Sequence, residues 1–112
     1  VITDVRLIIG LAWGVAMGLS VFVQNQIHDE VHQLHDDLDE SFMRLCEAGP
    51  RASVRRGIVR HGDTVLNPFQ LTILIEEITA LPPDAVNGTI TRILDAAEHA
   101  IRLRGYLFFS GD

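Results

Sequence analysis

The sequence predicts an all-α protein built around one long N-terminal helix that spans a membrane and continues beyond it. Three observations predict this class. Leu7–Val23 is a run of seventeen residues without charge, bracketed by Arg6 and by Gln24-Asn25-Gln26. Within it Gly10, Gly14 and Gly18 recur every four residues. No Gly or Pro falls between Val21 and Gly49, so nothing in the sequence halts a helix before residue 48.

A hydrocarbon core about 30 Å thick needs roughly 20 helical residues, and about 17 is the lower limit. The Leu7–Val23 run meets that limit. Arg6 before it also suits a signal peptide, but no small-x-small cleavage site follows Val23. The expected division is a transmembrane helix over 1–25 and a small helical extramembrane domain over 26–112. The expected location is therefore a membrane, crossed once. Sidedness stays open. Arg6 favours a cytoplasmic N-terminus, while the Arg51, Arg55, Arg56 and Arg60 cluster favours the reverse if it folds back.

Residues four apart lie about 40° apart on a helix, so the three glycines form one groove. In lipid, helices associate through close packing, and small residues permit it. Gly10, Gly14 and Gly18, with Trp13 near mid-span, are the expected partner-binding residues. Their partners would be transmembrane helices of a larger complex or of a homo-oligomer, together with membrane lipid.

From Gln26 to Glu47, Ile27, Val31, Leu34, Leu38 and Leu45 trace a heptad-like seam. Gly49-Pro50 ends the helix, as a glycine beyond the last turn followed by proline should. Residues 57–66 read as a short hairpin turning at Gly62 or as a basic loop. Asn67-Pro68 starts a helix running to about Leu81, burying Leu71, Leu74, Ile75 and Ile78. A last helix runs from Pro83 or Asp84 to Arg104, with Val86, Ile90, Ile93, Leu94, Ala97 and Ile101 on one face. Gly105 closes it. Tyr106-Leu107-Phe108-Phe109 is an apolar tail that must bury against the domain, a partner or the membrane interface.

His28, His32, His35 and Asp39 are the candidate metal ligands. On a helix their spacing puts them on one face. His28 and His35 would stand about 10.5 Å apart along the axis, too far to share one ion easily. A tetrahedral site needs ligands that this stretch lacks, so a solvated acidic face is the preferred reading and no metal or other cofactor is assigned. On a continuous helix the glycine groove and the histidine row lie within roughly 40° of each other, and the leucine seam lies more than about 120° away.

Other chemistry is sparse. The net charge of −6 argues against a nucleic-acid partner. All nine basic residues are Arg, planar donors suited to carboxylates and phosphates. The arginines over 51–60 suit lipid phosphates or the acidic stretch Asp29–Glu40 of the same chain, and the second is preferred because it needs no other partner. No phosphate-binding loop is present, and the lone cysteine, Cys46, with a distant His99 is not a credible nucleophile pair, so a small buried thiol is expected. Asn87-Gly88-Thr89 matches a glycosylation acceptor. No small-molecule substrate is inferred.

The expected function is a non-catalytic single-pass subunit that anchors to or stabilises a membrane assembly. One alternative is a soluble all-α oligomerisation module whose glycine-faced helix is buried between subunits. Another is a metal- or pH-responsive binding protein using the histidine row.

Overall fold

A computed structural model of the chain describes residues 18–111. It is an α/β fold, not an all-α one. A four-stranded antiparallel sheet carries three α-helices on one face. The strands are β1 (Ser20–Gln24), β2 (Glu30–His35), β3 (Asp63–Leu66) and β4 (Tyr106–Ser110). The helices are α1 (Ser41–Glu47), α2 (Pro68–Thr79) and α3 (Gly88–Arg102), with 3-10 turns at Arg55–Gly57 and Pro83–Ala85. The strand order is β2-β1-β4-β3.

The apolar run ends as a strand. Within it Val21 and Val23 are fully buried while Ser20 and Phe22 are only partly so. That alternation is the period of a strand, not of a helix. Phe22 hides it, because it sets one large apolar side chain on the second face, stacked on Phe108. Among the described residues no helix is long and apolar enough to cross a membrane. The single-pass reading and the membrane location are corrected accordingly. Gly10, Trp13 and Gly14 lie outside the described residues. Gly18 has φ 122°, a conformation that glycine adopts freely, and it leads directly into β1.

The continuous rod also gives way at Asn25. Its side-chain oxygen accepts the amides of Ile27 at 3.0 Å and Asp29 at 2.9 Å. His28 takes φ 67°, and the chain reverses into β2. Asn competes with helix by bonding its own neighbouring amides. The leucine seam is thereby dispersed, with Ile27 74% and Leu38 100% exposed. Only the end of that helix stands as read from the sequence. α1 stops at Glu47, and Ala48 caps it just before Gly49-Pro50.

The start of α1 is set by two aspartates. Asp36 accepts the amides of Phe42 and Met43 at 2.9 and 2.8 Å, and Asp37 accepts that of Ser41 at 2.8 Å. These donors have no partner inside the helix, and carboxylates favour its positive end.

α2 begins as its sequence dictates. The Asn67 side chain accepts the Gln70 amide and the Gln70 side chain accepts the Asn67 amide, both at 2.9 Å, with Pro68 in the first turn. Leu71, Leu74 and Ile78 are buried. α3 starts later than Pro83 because a 3-10 turn intervenes. Asn87 caps it by accepting the Ile90 amide at 2.9 Å, so the acceptor motif's asparagine serves as a helix cap.

The core lies between the helices and the sheet. Val21, Val23, Leu107, Phe109 and Leu66 face Phe42, Cys46, Leu71, Leu74, Ile90, Ile93 and Ala97. Phe42 and Phe109 stack with centroids 5.7 Å apart. The apolar tail is therefore β4, an inner strand paired with both β1 and β3. β3 pairs only with β4, so residues 57–66 form no hairpin of their own.

Candidate functional site

The histidine row does not survive as a row. His28 sits in the β1–β2 turn, stacked on Tyr106 with centroids 4.0 Å apart, and its Nδ1 lies 2.8 Å from the Gln24 side-chain oxygen. His32 and His35 are both on β2 but three residues apart, which places them on opposite faces. His35 lies 3.2 Å from the Ser20 hydroxyl. Asp39 is exposed in the loop before α1. Among the described residues no group of three or more His, Cys, Asp or Glu side chains is placed to hold a metal ion.

Only His32 joins another feature, a groove of about 360 Å³ between β2 and α3. Its lining is His32 and Leu34 from the strand, and Arg92, Asp95, Ala96, His99 and Arg102 from the helix. The register explains the strand's share. His32 pairs with Val23 and Leu34 with Val21, so both stand on the helix-covered side of the sheet, at its edge. The helix's share follows from spacing. Positions 92, 95, 99 and 102 make one stripe beside the buried stripe of Ile90, Ile93, Ala97 and Ala100.

The groove is cationic. Two guanidinium groups and two imidazoles face a single carboxylate. Arg92 donates to the Thr89 hydroxyl at 3.2 Å. Among the described residues neither Arg92 nor Arg102 forms an ion pair. Leu34 and Ala96 give the groove an apolar floor. β2 pairs with β1 alone, so its outer edge lies alongside this groove. None of the groove's helix residues was marked as functional from the sequence. The available signal was the Arg92–Asp95–His99–Arg102 stripe on an amphipathic helix, which reads as solvated surface until a strand edge is known to lie beside it.

Several charged groups outside the groove are tied into the fold. Arg60 forks onto Glu47 through Nε at 2.9 Å and Nη2 at 2.8 Å, and its Nη1 bonds Glu40 at 2.6 Å. Glu47 is held below the usual carboxylate range, chiefly by the Arg60 hydrogen bonds. Of the expected pairing between the 51–60 arginines and Asp29–Glu40, the Arg60–Glu40 contact is present, while the second Arg60 partner, Glu47, lies outside that stretch. Arg55 is buried instead, lying against Gly49. Cys46 is also buried, and desolvation, with the Asp36 charge adding to it, pushes its thiol far above the ordinary range. A thiol so disfavoured as thiolate is a poor nucleophile.

Comparison with known proteins finds no counterpart: no family model, no curated protein and no solved structure matches this chain.

Proposed function

We propose that the protein is a non-catalytic binding module that receives an extended, acidic segment of a protein in the groove between β2 and α3. The observation that carries this reading is the conjunction of an edge strand with the Arg92 and Arg102 side chains beside it. An edge strand offers backbone groups to an added strand. The flanking guanidinium groups select carboxylates, which they can bind through two hydrogen bonds each. The apolar floor of Leu34 and Ala96 suits one aliphatic side chain between the acidic ones. The inert Cys46 is consistent with binding rather than nucleophilic chemistry.

The test uses a fluorescein-labelled decapeptide of alternating Glu and Val, with a Lys-Val counterpart, at low ionic strength. The acidic peptide should raise the anisotropy saturably, and the basic one should not. The double variant R92E/R102E should weaken binding at least about tenfold, the scale of a lost charge pair at an interface. Equal binding of both peptides, or no binding of either, overturns the reading.

A further inference from the structure

We propose that the groove's occupant is a second copy of this chain, whose loop 36–40 enters it, so that two copies pair about a twofold axis. This rests on the reading of the groove as a receiver of acidic segments and names the segment, a turn closed by the Glu40 amide on the Asp37 carbonyl at 2.9 Å, held by the groove's walls and floor and not added as a strand.

The loop Asp36-Asp37-Leu38-Asp39-Glu40 has the matching chemistry and is held ready. Asp36 and Asp37 are fixed by the α1 amides, and Asp37 also accepts from the Asn87 side chain at 3.3 Å. Glu40 sits at φ 57° and is clamped by Arg60. Between these anchors stand Leu38, 100% exposed, and Asp39, also exposed. A leucine wholly in water beside a free carboxylate matches a groove with an apolar floor and cationic walls. A loop fixed in advance loses little freedom on docking.

The topology says which groove each loop can reach. The Asn87–Asp37 bond puts the start of α3 beside the end of β2. α3 then turns through Leu103–Gly105 into β4, which runs antiparallel to β1 and hence parallel to β2. So α3 runs antiparallel to β2. Each loop is tethered at the Arg92 end of its own groove, and the Arg102 end is left for another molecule. A twofold axis that sets two β2 strands antiparallel delivers each loop to the other copy's Arg102 end. Such a contact is isologous and closes on itself.

The same end carries the exposed apolar side chain of Ile27, in the hairpin turn, 74% accessible. It provides a contact for the incoming Leu38. Asp29 and Glu30 are the acidic groups nearby. Glu30, in register with Gln24, stands on the opposite face of the sheet.

Sedimentation equilibrium tests the pairing through a charge swap between exposed positions. The wild-type protein should dimerise. D39R alone and R102E alone should each weaken the dimer at least about tenfold, because each sets like charges together. An equimolar mixture of the two variants should restore it, since every 39–102 contact in the mixed dimer is again between opposite charges. L38D should also weaken it. A wild-type protein that remains monomeric to about 1 mM, the scale of a negligible affinity, overturns the proposal. So does a mixture that stays monomeric when both variants are folded by circular dichroism. Binding of the Glu-Val peptide by D39R, whose groove is intact, is read separately. If it persists while dimerisation fails the swap, the second copy is wrong and the acidic-segment reading stands. If it is absent, that reading fails.

Discussion

The Glu77 carboxylate on α2 accepts the backbone amide of Val54 at 2.7 Å, twenty-three residues earlier in the chain. Its other oxygen accepts the Arg55 amide at 3.1 Å. One side chain thus fixes the 3-10 turn against α2. Replacing Glu77 with Gln leaves one acceptor for two partly buried donors. The expected cost is about 1–3 kcal/mol, the penalty for a donor left unmatched. Urea denaturation should show a lower midpoint with an unchanged slope. A midpoint equal to wild type would show that the amides find other partners.

Gly105 joins α3 to β4 where the β1–β2 turn presses against it. A Cβ there would overlap the Gln24 carbonyl oxygen and lie 2.8 Å from the Asn25 carbonyl carbon. Backbone cannot rotate away as a side chain can. Gly105→Ala should cost about 2–3 kcal/mol or more, at the upper end for overpacking. Gly57→Ala is the control, because nothing lies within 4 Å of a Cβ at that position. It should stay within about 0.5 kcal/mol of wild type. Thermal melts of the two variants check the contrast.

Acid should weaken the fold partly through Asp37. Burial alone would raise its carboxyl, but hydrogen bonds from Ser41, Thr89 and Asn87 together hold it below the ordinary value of 3.8. A depressed folded value means that the unfolded chain takes up the proton first. The contribution is therefore complete above about pH 4 and is lost as the pH falls through the folded value. Glu47, held down by Arg60, acts in the same direction. Asp37→Asn keeps an acceptor for the Ser41 amide and should flatten the acid limb of stability against pH. An acid limb identical to wild type would remove Asp37 from the account.

Cys46 should be inert in the folded protein. Its side chain is wholly buried and its thiol is disfavoured as thiolate. Ellman's reagent at pH 8 should therefore react only as fast as the protein opens, and fully in urea. Immediate stoichiometric reaction in native buffer would contradict the burial.

The parts of this fold legible in the sequence are those written in local chemistry. Asn67-Pro68 announced α2 because a cap and an N-terminal proline act within one turn. Gly49-Pro50 announced the end of α1 for a similar reason. The strands escaped because their evidence is distant. Val21 and Val23 are strand residues by virtue of Leu107 and Phe109 beside them, eighty-odd residues away in sequence. With Phe22 between them, the segment reads equally as an apolar helix. The groove was illegible for the same reason. His32 and Arg102 line it together only because α3 runs back along β2, and no spacing within either segment encodes that.

The strand order has a consequence for how the chain comes into being. β4 separates β1 from β3, yet it is the last strand to be made. While the ribosome is still adding residues before Tyr106, the β1–β2 hairpin has one flank open and β3 has no strand beside it. Neither half can close its ladder until β4 emerges and slides between them. Closure of this sheet therefore waits for β4, and from the addition of Leu66 until Tyr106 emerges the nascent chain carries the two strand flanks that β4 will cover.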